Sequence, residues 1–376
     1  MNEQNYLYLY PHCHIVKGYN RSLLQDTFRG SYFFIPDLLA TMLPKMHGAT
    51  LLDSKMLFTG NSHNYFEEYV IFLQEKEAVN LSEISLDYQK LPLDFQYPAI
   101  ITNSIFIYDK RNENQQTITE LIKNRCEHIQ IFVNQKITSK KLKTILSLFE
   151  DSLVETIEIV VSFQKPFLNI QYWQKLYDQY RRLQSAVVYN APKTEKISVD
   201  CLNYNWVLFI NEPVSYNDCG AIHPLHLTNN LLFFTESQQH NTCLNRKVCI
   251  DAGGNIKNCP AMERSFGNIK DTTLQEAIEK EGFKDLWFIN KDKIDVCKDC
   301  EFRYMCTDCR CFIKDPENIY SQPAKCGYNP YICKWAGQEG YVPVEECGNY
   351  SRETGFVPDA AKIKELNQQI WGEENE

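Results

Sequence analysis

The chain has 376 residues, 44% of them hydrophobic and 23% charged, which gives room for two or three domains with buried cores and excludes a disulfide-stapled mini-protein. No apolar run approaches the roughly 20 residues that span a bilayer, so a membrane anchor is not expected. A formal net charge of −9 argues against a nucleic-acid partner, whose binding needs a basic face, and leaves a peptide or protein as the easier partner.

The N-terminus, "MNEQNYLYLYPHCHIVKG", has no basic segment followed by an apolar stretch and a cleavage site, so the expected compartment is the reducing cytoplasm. There the 15 cysteines are read as metal ligands rather than as disulfides, and an odd number could not pair completely. Residues 1–95 read as a small module. "YLYLY" and "HIVKG" have strand character, "SYFFIPDLLATMLPKMHG" carries a helical stripe through Leu38, Leu39, Met42 and Leu43, and "NYFEEYVIFLQEKEAV" predicts a second helix. A strand followed by short helices predicts a winged-helix-like arrangement.

Over 96–212 the pattern changes to alternation. "AIITNSIFIYD", "HIQIFVN", "TIEIVVSF" and "QSAVVYN" read as strands, with "TITELIKNRC", "SKKLKTILSLFED" and "IQYWQKLYDQYRRL" between them at helical spacing. Strand–helix–strand repetition predicts a parallel sheet, either open or closed into a partial barrel. The loop after the first strand, "IYDKRNENQQT", lacks the glycines of a phosphate-binding loop. Over 213–350 the chain turns rich in turns and cysteines. "RKVCIDAGGNIKNCP" reads as a hairpin around Gly253, Gly254 and Asn255 with a cysteine on each arm, and "TTLQEAIEKEGFKDLWF" as a helix. Residues 351–376 predict a terminal helix with an acidic tail.

The cysteines of this region run Cys243-x5-Cys249-x9-Cys259, then Cys297-x2-Cys300-x5-Cys306-x2-Cys309, then Cys326. Thiolates two residues apart reach one metal from a single turn, and eight ligands complete two four-cysteine sites. Soft sulfur donors select zinc or iron–sulfur clusters, and spacing does not choose between them. Together with Gly254-x4-Cys259, "FGNIKD", "CKDCEFRYMCTDCR" and "KCGYNPY", these spacings over about 240–335 resemble the SPASM domain of radical SAM peptide maturases. The resemblance implies two [4Fe–4S] clusters, one on Cys243, Cys249, Cys259 and Cys309, the other on Cys297, Cys300, Cys306 and Cys326. Cys306 and Cys309 stand one residue closer than in the family, with Cys311 as a competitor. Cys311, Cys333 and Cys347 remain as spare, substitute or buried thiols.

Upstream, "HCHIVKGYNRSLLQD" with "SYFFIPDLL" is similar to maturases of the grasp-with-spasm systems. This implies a ribosomal precursor peptide and an ATP-grasp ligase as partners, and makes the N-terminal module a leader-peptide recognition element that takes its peptide as an added strand. The resemblance fails at one place. The C-x3-C-x2-C triad that holds a SAM-binding cluster is missing, and Cys13, Cys126, Cys201 and Cys219 are isolated in sequence. The expected architecture is therefore α/β: a degenerate radical-SAM-like barrel with an N-terminal winged-helix-like module and a C-terminal cysteine-rich SPASM domain. SAM is not expected to bind, and catalytic residues are not assigned. The alternative is a non-catalytic peptide-binding scaffold with structural iron–sulfur or zinc sites. His12 and His14 of "PHCH", and His223 and His226 of "AIHPLH", read as packing residues before metal ligands. "DYQKLPLDFQYP" reads as a solvated linker.

Overall fold

A computed structural model describes residues 2–98, 100–109, 114–199 and 204–372. They form two compact units: Met1–Tyr97 with Ala221–Thr242 and Ile289–Glu376, and Pro98–Gly220 with Cys243–Phe288.

The first unit begins with β1 (Tyr6–Leu9), β2 (Cys13–Lys17), β3 (Ser22–Asp26) and β4 (Ser31–Ile35), then α1 (Asp37–Met46), α2 (Leu51–Lys55), α3 (Phe66–Glu75) and β5 (Val79–Ser82). Strands β2, β3 and β4 make an antiparallel sheet, and β1 pairs antiparallel with β5. The stretch from Ser31 that carries the helical stripe splits in two, with Leu38, Leu39, Met42 and Leu43 falling in α1. Its aromatic residues pair with β3, Pro36 ends the strand at φ −58°, and the helix starts at Asp37. Leu39, Leu43 and Met46 of α1 and Phe66, Val70 and Leu73 of α3 recur at helical spacing and bury against Leu7, Leu24, Ile35 and Val79.

The second unit alternates β6 (Asn103–Tyr108), α4 (Asn114–Lys123), β7 (His128–Val133), α5 (Ser139–Ser147), β8 (Thr156–Ser162), α6 (Ile170–Gln179) and β9 (Leu183–Tyr189), then adds β10 (Glu195–Ser198) and β11 (Trp206–Phe209). Past α7 (Leu231–Gln239), which lies in the first unit, the chain returns with β12 (Lys247–Ile250), β13 (Ile256–Lys257) and α8 (Leu274–Glu279). The result is one eight-stranded sheet, ordered β10-β11-β9-β8-β7-β6-β12-β13, parallel except at its antiparallel outer strands β10 and β13. Apolar side chains fill residues 131–133 of β7, 159–161 of β8 and 186–189 of β9, as a parallel sheet covered by helices requires; α5 buries Leu142, Ile145 and Leu146, and α6 buries Trp173, Leu176 and Tyr177.

The remainder of the first unit is sparse in regular structure. Short 3₁₀ turns lead to β14 (Tyr328–Asn329), β15 (Lys334–Trp335), β16 (Gly348–Ser351), β17 (Gly355–Pro358) and α9 (Ala360–Trp371), whose N-terminal amides are capped by Asp359. Ile363 of α9 packs with Val296, Tyr331, Ile332, Val344, Cys347 and Phe356, so the terminal helix belongs to the core beneath the cysteine loops. Among the described residues no helix is long and apolar enough to cross a membrane.

Candidate metal centre

In the first unit the local chain geometry turns four thiols towards one space. The amide of Cys300 donates to the Cys297 carbonyl at 3.0 Å, closing a single turn, so the x2 spacing presents both sulfurs on one side. Val296, immediately before, sits at φ 66°, a left-handed conformation rarely adopted by a β-branched residue and costing on the order of 1–3 kcal/mol. Further turns, Met305 N–H to Phe302 O at 2.9 Å and Cys326 N–H to Pro323 O at 3.2 Å, bring in Cys306 and Cys326. Cys297, Cys300, Cys306 and Cys326 line one cavity, walled by Phe302, Tyr328 and Trp335. Four sulfurs form a soft donor set that suits zinc or an iron–sulfur centre. Burial pushes the Cys297 and Cys306 thiols up to about 11, so binding a centre here releases protons.

A buried lysine shares the cavity. Lys291, 3% exposed, donates from Nζ to Cys297 Sγ at 3.8 Å and stands 3.6 Å from Asp308. Arg310 clamps the same carboxylate at 2.7 Å, and Asn241 donates to its other oxygen at 2.6 Å. Burial works against the Lys291 charge, but Cys297, Cys306, Asp308 and Cys326 outweigh it and keep the amine protonated.

The antiparallel N-terminal sheet backs this cavity. Val16 and Leu23 pack with Phe234, Phe302, Met305 and Tyr328, with Cys300 and Cys326 at the margin of the same cluster. Arg21 Nε meets Glu301 Oε1 at 2.6 Å, and Tyr328 donates to the same oxygen at 2.6 Å.

In the second unit Cys249 lies on β12 opposite Lys257 on β13, so the hairpin puts Cys249 and Cys259 on its two arms. Asp251 Oδ1 accepts the amides of Gly253 and Asn255, which fixes the turn. Gly254 occupies φ +85°, where a Cβ would stand 3.0 Å from Asn268 Oδ1. Here too a lysine accompanies the thiols: Lys247 donates to Cys243 Sγ at 3.8 Å, and Cys243 first, then Cys259, Cys219 and Cys249, hold its amine above the usual lysine value despite burial. Cys309, expected with this set, lies in the first unit, where its sulfur accepts the Phe312 amide at 3.5 Å.

The other candidates fall elsewhere. Cys333 and Cys347 sit among local polar groups, Cys333 Sγ donating to Pro330 O at 3.7 Å and Cys347 Sγ accepting from Asn329 at 3.3 Å. Buried Cys126 bonds to Thr102 O. Cys201 and residues 110–113 of the loop after the first core strand lie outside the described residues. His223 Nδ1 caps its own turn by accepting the Leu225 amide at 3.2 Å, and His226 Nδ1 lies 3.2 Å from Ala221 O. His12, Cys13 and Asp26 bring their ligand atoms within 4.8 Å of one another, a grouping that only the Cys13–Asp26 cross-strand pair reveals. Arg29 already supplies a cation there, 3.0 Å from Asp26 Oδ2, while Oδ1 accepts the Phe28 and Arg29 amides. The functional feature absent from the sequence reading is the pair Lys247 and Lys291. Neither stands at a spacing from its cysteine that distinguishes it from an ordinary surface lysine.

Residues 242–301 match the SPASM iron–sulfur cluster-binding domain, as the cysteine spacings predict. This interval contains Cys243, Cys249, Cys259, Cys297 and Cys300; Cys306, Cys309 and Cys326 lie beyond it. The chain thus carries a SPASM domain. No curated protein matches it. Among solved structures it is similar to Streptococcus suis SuiB, with a TM-score of 0.34, 10% identity, and coverage of 85% of this chain and 98% of that one. The structures of SuiB bound to S-adenosylmethionine and to its precursor peptide SuiA each give a TM-score of 0.33, 10% identity, and coverage of 81% and 96%. A likeness so distant assigns neither activity nor ligand.

Proposed function

We propose that this chain is an iron–sulfur protein acting in the maturation of a ribosomally synthesised peptide, together with an ATP-grasp ligase, in the cytoplasm. The observation that carries the reading is the convergence of Cys297, Cys300, Cys306 and Cys326 on one cavity, in a chain with a SPASM match. In this reading these four thiolates hold one [4Fe–4S] cluster, and the sequence resemblance supplies Cys243, Cys249, Cys259 and Cys309 for the other. Such a centre supplies one-electron transfer when bound. The chain's own part is to release the thiol protons, exclude water with Phe302, Tyr328 and Trp335, and balance the sulfur charge with Lys291.

The finer architecture belongs to the same proposal. Residues 1–95 form the leader-recognition module, 96–212 a reduced radical-SAM-like barrel, 213–350 the SPASM region and 351–376 the terminal helix and tail. The leader docks as a strand on an edge of the N-terminal sheet, where backbone hydrogen bonds give affinity. The core that joins β2 and β3 to Phe302 and Tyr328 favours a second reading, a non-catalytic scaffold in which the centre fixes the peptide-binding sheet.

Anaerobic reconstitution with iron and sulfide analysis tests the centre; firmly held zinc without labile sulfide would sink it. Mass spectrometry of the precursor peptide, coexpressed with the ligase in the presence and absence of this chain, separates the two readings. A mass change that requires this chain and tracks cluster content supports catalysis. Peptide binding without any mass change supports the scaffold.

A further inference from the structure

In each of the two groups of thiols a lysine ammonium donates to a cysteine sulfur, and a second cation beside it engages the nearest carboxylate. In the first unit Lys291 stands 3.8 Å from Cys297 Sγ and shares Asp308, 3.6 Å away, with the closer Arg310 at 2.7 Å, so the carboxylate is already offset by the guanidinium. In the second unit Lys257 is engaged by Asp251 at 3.0 Å, and Lys247 stands 3.8 Å from Cys243 Sγ. Two independent stretches of sequence arrive at the same arrangement.

We propose that Lys291 and Lys247 are positioning residues that compensate charge, one for each thiolate centre, and that each raises the reduction potential of its own centre. The proposal rests on the iron–sulfur reading. A four-thiolate cluster carries net negative charge, and one-electron reduction adds another. A fixed ammonium donating to a ligand sulfur stabilises the reduced form more than the oxidised form, because net charge and hydrogen bonds to sulfur set such potentials.

The test uses the full chain, reconstituted anaerobically, in the wild type and in Lys291→Met, Lys291→Arg, Lys247→Met and Lys247→Arg. Iron and labile sulfide are measured first. Each midpoint is then followed by electron paramagnetic resonance during a dithionite titration. With full iron content, Lys291→Met is expected to lower the reduced-to-oxidised ratio of one centre about tenfold at fixed potential, a shift of about 59 mV for one electron. Lys247→Met is expected to move the other centre, and the arginine variants are expected to restore the wild-type values. Full loading with unmoved midpoints overturns the proposal. If the methionine variants fail to load, loading in the arginine variants still supports a requirement for charge, whereas failure of both shows a requirement for shape and overturns it. A wild-type chain without iron and sulfide overturns the iron–sulfur reading itself, and the proposal with it.

Discussion

Glu301 is 1% exposed, adjoins Cys300, and pairs with Arg21 at 2.6 Å. Removing one partner of such a pair leaves the other buried and unpaired. The cost is about 3–5 kcal/mol for a fully buried pair, reduced here to about 2–3 because Arg21 is 27% exposed. Arg21→Met is therefore expected to lower the unfolding free energy, measured by denaturant titration, by that amount. Adding Glu301→Gln should recover part of the loss, because a neutral amide can be buried more cheaply. His14 gives a prediction in pH. Burial first, and then the nearby His12, lower its pKa from 6.5 to about 4, against an opposing pull from Asp26, while its ring stacks on Phe234 at 4.0 Å. The unfolded chain takes up the proton more readily than the fold does, so the contribution is fully present above pH 6.5. It is lost as pH falls from 6.5 through about 4, by at most about 3 kcal/mol. His14→Phe keeps the stacked ring and should flatten this part of the stability–pH curve, measured by urea unfolding at each pH.

At the scale of elements, the hairpin between Cys249 and Cys259 depends on one backbone conformation. Gly254→Ala forces an L-residue into φ +85° and sets its Cβ 3.0 Å from Asn268 Oδ1, so unfolding should become easier by about 1–2 kcal/mol. The same variant should hold less iron on reconstitution, since the two arms carry two of the expected ligands; unchanged melting and unchanged iron would contradict both statements. This hairpin was legible in the sequence because its turn chemistry is local: Asp251 accepts the amides of Gly253 and Asn255 and the side-chain amide of Asn255, all within five residues. Strands β6–β9 and the helices between them were legible for the same reason, their period and bulk being visible within each segment. The N-terminal sheet was legible only at β2, where "HIVKG" has strand character. Strand β3, "SLLQD", is buried at every position and shows no alternation, because it lies between β2 and β4 with cores on both faces. That environment is tertiary. The lysines beside the thiols were hidden in the same way, since folding alone makes them neighbours of sulfur.

At the scale of the molecule, the first unit is assembled from three separated stretches of chain, and one small core joins them. Val16 and Leu23 come from the N-terminal sheet, Phe234 from α7, and Phe302, Met305 and Tyr328 from the cysteine loops. Between Ile289 and Trp335 the chain has only 3₁₀ turns and two two-residue strands, too little backbone bonding to hold itself in place. A metal centre on Cys297, Cys300, Cys306 and Cys326 would supply the missing cross-links, and its binding energy would then be folding energy for whatever packs on those loops. Stripping iron from the reconstituted protein with a chelator should therefore raise amide hydrogen exchange first across 289–335, and next in β3, whose Leu23 packs against Phe302 and Met305. Strands β7 and β8, with parallel neighbours on both sides, should keep their protection. If β3 stays protected while the loops open, the N-terminal sheet stands without the centre, and the scaffold reading loses the link by which the centre would fix the peptide-binding edge. If β3 and the loops open together, the centre and the peptide-binding sheet form one cooperative unit, and occupancy of the one would govern the other.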